Sequence, residues 1–189
     1  MRLLLYVSSL FQLIFRPSHF YKNVITSIED QTNISQWKIW GKHLFFDIDD
    51  TLGVHRGGLN ADICHSLDLL AENGKSVRLL TNCSHHRAED HQRRLEEFSC
   101  KAELWTHGMK PNYHWLRREI EQRDMLLSDC CFFGDRPTMD LWMAFKAGFG
   151  YRVWVTGWRE LSPEGKGPLG WIQSIEWKAL EPHLLAKKS

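Results

Sequence analysis

No charge of one sign dominates this chain. Its 24 Lys and Arg are nearly matched by 23 Asp and Glu, for a formal net charge of +1. That balance excludes a strong field for nucleic acid, and no basic run interleaved with aromatics offers a nucleic-acid surface. Cysteine is sparse. Cys64, Cys83, Cys100, Cys130 and Cys131 are irregularly spaced and contain no C-x-x-C pair. A structural zinc site is therefore not expected, and the odd number fits a reducing compartment. Long apolar runs are missing as well. Residues 1–15 are rich in Leu and aromatics but are too short and interrupted for a spanning helix, which needs roughly 20 apolar residues. No small-x-small cleavage site follows them. Acidic residues are also absent at the start, where Glu29 is the first, and no internal repeat is visible.

What is present is one domain's worth of chain. With 189 residues and a 43% hydrophobic fraction, it is long enough to bury a core. Short apolar strands are expected at 44–46, 77–80, 103–105, 130–133 and 151–155. Helices are expected between them, at about 61–72, 87–98, 111–123 and 139–147. Ile63, Leu67 and Leu70 share one face of the first helix, and Asn73-Gly74 stops it. Pro111 takes an allowed first-turn position in the third, and Gly148 closes the fourth. Strand-helix alternation on this scale argues an α/β fold with a doubly wound parallel sheet. The expected division is an amphipathic, membrane-leaning segment at 1–23, the α/β core at 40–160, and a C-terminal loop and helix at 161–189.

The run from His43 to Leu52 carries the most chemistry. An apolar segment ends abruptly in Asp47, Asp49 and Asp50. Asp47 and Asp49 are two residues apart, the strand period, and would point the same way if strand geometry continued. Crowded carboxylates are costly unless a cation or a chemical task compensates them. Magnesium would supply the cation, because hard divalent ions take carboxylate oxygens and keep positions for a phosphate ligand. Alone, the run would read as an Asp-rich turn after a strand.

Asp47-Ile48-Asp49-Asp50-Thr51 resembles motif one of the haloacid dehalogenase superfamily of phosphatases. Thr81-Asn82, Lys110-Pro111, and Gly134-Asp135 with Asp140 look like its motifs two, three and four, each just after an expected strand. The resemblance implies that Asp47 is the nucleophile that becomes an aspartyl-phosphate and that Asp49 is the general acid/base. Thr81 and Asn82 would hold the phosphoryl oxygens through a hydroxyl and a backbone N–H. Lys110 would neutralise nucleophile and phosphate. Asp47, Asp49 and Asp135 would form the magnesium site, with Asp135 favoured over Asp140, which is expected to act from behind the ligands. Asp50 is the variable position, expected to cap or carry solvated charge. The chemistry needs these types: a carboxylate nucleophile divides hydrolysis into two displacements, and positive charge must let two anions meet.

Spacing implies a core without a cap domain, since the gaps from Asp47 to Thr81 and from Thr81 to Lys110 each hold one helix and its loops. The layout is similar to the phosphatidylglycerophosphatase-type branch of that superfamily. The pieces are Arg16-Pro17-Ser18-His19-Phe20-Tyr21 with Val24, then the four motifs. The branch implies a lipid head-group phosphate as substrate. It also implies a peripheral membrane contact and a cytoplasmic or mitochondrial matrix location. The chain departs from it at Arg136, Thr138, Met139, Phe145 and Lys146. Gly-Asp-Arg is instead similar to phosphatases of small soluble substrates, so a sugar phosphate, nucleotide or phosphoprotein is the alternative. A non-enzymatic binding module is the third class.

The N-terminal helix has three readings: an interfacial membrane helix, a helix packed on the domain, or a cleaved targeting segment. Arg2, Ser9, Gln12 and Arg16 fall near one face, with apolar residues over the rest. Other features read blandly. His85 and His86 suit a solvated helix start, and His107 a loop. Cys130 and Cys131 read as small core residues, and Trp105, Trp115 and Trp142 as core or half-buried. Trp154, Trp158, Trp171 and Trp177 cluster late in the chain, where an aromatic membrane or partner surface is one reading.

Overall fold

A computed structural model describes residues 2–15, 24–28, 34, 39–53, 57–106, 110–155 and 176. Six parallel strands form one sheet: β1 (Val24–Ile28), β2 (His43–Phe46), β3 (Ser76–Leu80), β4 (Glu103–Trp105), β5 (Cys130–Gly134) and β6 (Tyr151–Val155). Their spatial order is β1-β6-β5-β2-β3-β4. The helices are α1 (Arg2–Phe15), α2 (Ala61–Glu72), α3 (His85–Glu97), α4 (Tyr113–Glu121) and α5 (Trp142–Ala147). The doubly wound α/β reading is borne out at this level, and the five expected strands sit where their apolar runs placed them.

Central strands of a parallel sheet are covered on both faces and so carry continuous apolar runs. β5, Cys-Cys-Phe-Phe-Gly, is buried throughout. Side-chain alternation then divides the strands between two cores. Leu44, Phe46, Leu79, Cys131, Phe133 and Val153 face Ile63, Cys64, Leu67 and Leu70 of α2 and Leu95 of α3. Phe45, Leu80, Cys130 and Phe132 face Leu116 and Ile120 of α4 and Met143, Ala144 and Ala147 of α5. Phe46 stacks on Phe133 at 4.4 Å on the first side. Phe45 packs on Trp105 and Phe149 at 5.5 and 5.1 Å on the second. Cys130, Cys131, Trp105 and Trp142 are buried, as expected.

Helix ends follow local chemistry. The Asn60 side chain accepts from Ile63 N at 2.9 Å and caps α2. Asn112 does the same for α4 through Trp115 N at 3.2 Å. The helix expected at 139–147 is divided. Pro137–Leu141 forms a π-helical turn, and α5 begins only at Trp142.

Two features at the N-terminal end differ from expectation. β1 is a strand no pattern announced, paired parallel with β6 from Val24–Arg152 to Ile28–Val155. α1 packs against the π-helical turn, and it does so through its polar side. Ser9 and Leu13 are fully buried, while Leu4, Val7 and Phe11 are 74%, 55% and 61% exposed. The reason is partner supply. Tyr6 Oη accepts from Arg136 Nη2 at 3.2 Å, and Gln12 Oε1 accepts from Trp142 Nε1 at 3.3 Å. Ser9 satisfies its own hydroxyl on Tyr6 O at 2.7 Å, which lets a small residue sit at the contact. Among the described residues no helix is long and apolar enough to cross a membrane. The expected loop and helix at 163–185 lie outside the described residues, Glu176 excepted.

Candidate active site

The sheet order places the site. From β2 the chain proceeds outward one way through β3 and β4. It then returns to the other side of β2 with β5 and β6. Ligands of open α/β sheets bind where the order reverses, beyond the carboxyl ends of the strands. Here that position lies between β2 and β5. Asp47 and Asp135 follow those strands directly.

Asp47 continues the ladder, its N–H donating to Phe133 O at 2.9 Å, and its side chain is buried. Lys110 is buried beside it. Its ammonium donates to Asp47 Oδ1 at 2.5 Å and to Asp140 Oδ1 at 2.8 Å. The position of Lys110 is set by Asn82, whose side chain donates to Lys110 O and accepts from Lys110 N, both at 2.9 Å. The Asn82 side chain thus holds the Lys110 loop, while the phosphoryl contact expected of Asn82 was through its backbone N–H. Thr81 is buried after β3, and its Oγ1 accepts from Cys83 N at 3.2 Å.

Asp140 enters the site through the π-helical turn. Asp140 N donates to Arg136 O at 2.8 Å, and Arg136 N returns a bond to Asp140 Oδ2 at 3.1 Å. The turn carries the carboxylate back over Gly134, where a Cβ would lie 2.5 Å from Asp140 Cβ and 2.7 Å from its Cγ. Only glycine admits this approach. Ligand oxygens of Asp47, Asp135 and Asp140 then lie within 4.8 Å of one another. Asp140 is thus part of the acidic group itself, where the sequence placed it behind. Asp49, expected among the metal ligands, is not part of that group. Its carboxylate accepts from Arg87 Nη1 and Nη2 at 2.9 and 2.6 Å.

The electrostatics follow from crowding in a dry site. Burial, opposed by Lys110 but aided by Asp140, pushes the Asp47 carboxyl up to about 7. Burial raises Asp135 well above the usual carboxylate range, with Asp140 and Asp47 adding to it. For Lys110 burial favours the neutral amine, but Asp140 and Asp47 outweigh it and hold the ammonium charged. Three acidic groups share one contacting ammonium, and a cation would favour their ionised forms. An all-oxygen donor set of this kind can hold a hard metal ion.

Behind the acids lies a second network that the sequence did not disclose. Arg136 Nε and Nη2 meet Glu176 Oε2 and Oε1 at 3.1 and 3.3 Å, and Thr138 Oγ1 also donates to Glu176. Trp154 is buried and donates from Nε1 to Asp135 O at 2.9 Å, so it belongs to this scaffold and not to an aromatic surface. Trp158, Trp171, Trp177 and His107 lie outside the described residues. His85 is exposed and sits 3.7 Å from Glu89, a solvated helix start as expected. Asp50 occupies a turn at φ 58°, its N–H donating to Gly53 O. Arg87 had a signal available: a helix starting straight after a site-bearing strand puts its first turn at the same sheet edge. Glu176 had none.

Comparisons with protein-family models, with curated proteins and with solved structures found no match to this chain.

Proposed function

We propose that this protein is a magnesium-dependent phosphomonoester hydrolase that works through an aspartyl-phosphate on Asp47. The observation that supports it best is the buried Lys110 ammonium shared by Asp47 and Asp140, with Asp135 alongside, at the sheet's switch point. Asp47, Asp135 and Asp140 would hold magnesium, which supplies the positive charge that lets carboxylate and phosphate approach. In the first step an Asp47 oxygen bonds to phosphorus as the ester P–O bond breaks, and Asp49 gives the leaving oxygen its proton. In the second, water attacks phosphorus and passes a proton to Asp49. Inorganic phosphate leaves, and Asp47 is restored. Lys110 offsets the charge gathering on the phosphoryl oxygens, and Thr81 donates to one of them.

The substrate is a phosphorylated small molecule or a lipid head group. The exposed Leu4, Val7 and Phe11 stripe favours a phosphate presented at a membrane surface, such as phosphatidylglycerophosphate. The soluble alternative rests on Arg136, which follows Asp135 as in phosphatases of small substrates. The test is phosphate release with magnesium from phosphatidylglycerophosphate in mixed micelles and from a panel of soluble phosphomonoesters, beside Asp47→Asn. Turnover of the lipid far above the panel, lost in the variant, carries the membrane reading. Turnover confined to soluble esters carries the alternative. Folded, magnesium-treated protein with no release from any ester would mean a binding module.

A further inference from the structure

We propose that Arg87 reads a second anionic group on the substrate, so that preferred substrates are phosphomonoesters carrying another negative charge on the leaving-group side. The inference rests on the phosphatase reading above and deepens it. Arg87 stands in the first turn of α3, directly after the β3 end that carries Thr81. Its guanidinium spans both oxygens of Asp49 at 2.9 and 2.6 Å. A carboxylate gripped this way has each oxygen engaged by the fork and is held in the fork's plane, away from a leaving group. The grip is nevertheless open to water, with side-chain exposures of 28% for Arg87 and 22% for Asp49. Because the pair is partly open to solvent, an incoming anion can reach the fork and compete for it. Contrast the Lys110 pairs, which are buried on both sides.

The neighbouring guanidinium groups are committed elsewhere. Arg94 holds Asp90 and Leu59 O, Arg93 holds Asp90, and Arg136 holds Glu176 and Tyr6. Arg87 alone of these four has a partner that the proposed reaction needs released. A planar fork matches carboxylate and phosphate oxygens equally well. An incoming carboxylate or phosphodiester therefore replaces Asp49 on Arg87, and Asp49 is freed towards the ester oxygen. A substrate without that anion meets Asp49 still clamped.

The test compares a matched pair of soluble esters, glycerol 3-phosphate and 3-phosphoglycerate, which differ in a carboxylate. The unmodified protein is expected to favour the second by roughly tenfold or more in kcat/KM. Arg87→Gln should bring that ratio close to one, mainly through KM for the charged ester. Arg87→Lys should keep only part of the preference, because a point charge lacks the fork. Phosphatidylglycerophosphate in mixed micelles supplies the phosphodiester arm. Equal losses on both soluble esters would overturn the proposal and leave Arg87 as a positioning residue for Asp49. Calorimetric binding of both esters to Asp47→Asn, with and without Arg87→Gln, separates the two readings. If Arg87 sets relative affinity in this binding assay while the unmodified protein hydrolyses neither ester, the anion reading stands and the phosphatase reading falls. If the esters bind Asp47→Asn equally, the anion reading falls whatever the turnover.

Discussion

Lys110 is the residue on which the site's charge balance turns. It is buried, and so are the carboxylates of Asp47 and Asp140 that it contacts. Removing it leaves buried anions without their partner. Lys110→Met should therefore destabilise the metal-free fold by about 3–5 kcal/mol, measured by denaturant titration, and magnesium should recover part of that loss. Asp47→Asn acts oppositely on stability, since a neutral amide relieves the crowding. It should nonetheless reduce phosphate release by roughly 10⁴-fold or more, because the proposed nucleophile is gone. At this scale the sequence was informative wherever a reactive side chain follows a strand directly, as at Asp47, Thr81 and Asp135. It was misleading wherever a side chain reaches back. Asp140 joins the acids only because Pro137–Leu141 winds as a π-helical turn, an event that leaves no mark in residue spacing.

That π-helical turn is the element that completes the acidic group. It depends on Gly134, where any Cβ would clash with Asp140 at 2.5–2.7 Å, well inside van der Waals contact. Gly134→Ala should push Asp140 out of line and weaken magnesium binding by tenfold or more on the order of one lost carboxylate contact. Calorimetry reads this directly, with circular dichroism confirming the sheet. Strands and helices of the core were legible because each buries a simple period: alternation in β2, an apolar 3–4 spacing in α2. β1 was not. Its pairing with β6 joins residues from opposite ends of the described chain, and nothing local in Val-Ile-Thr-Ser-Ile distinguishes an added edge strand from a linker.

For the molecule as a whole, the acidic group ties stability to pH and metal together. The folded value of about 7 for Asp47 lies above its ordinary 3.8. The folded protein thus holds a proton that the unfolded chain releases earlier. Stability from this group is complete below the unfolded value and is lost as pH rises through the folded one. In chelator the melting temperature should therefore fall between about pH 5 and about pH 8, and Asp47→Asn should flatten that slope. Under the proposed function magnesium would compete with protons for the same carboxylates, so its stabilising effect should grow over the same interval. At a hundredfold excess over Kd it should reach about 2.7 kcal/mol. Calorimetric melts at both pH values check this.

Two residues far apart in the sequence meet at one loop. Tyr6 of α1 and Glu176 both bond to Arg136, whose backbone N–H steadies Asp140. The first helix is therefore a brace for the Arg136–Asp140 loop as well as the bearer of an apolar stripe. Deleting it would remove both at once, and lost turnover would look like lost membrane binding. Charged substitutions at Leu4, Val7 and Phe11 touch only the outer side and leave Tyr6, Ser9 and Leu13 in place. Such a triple variant should keep its activity on soluble esters while losing vesicle association in flotation. A fusion partner appended ahead of Arg2 would likewise act at a distance, since the segment it pulls on is anchored beside the acids.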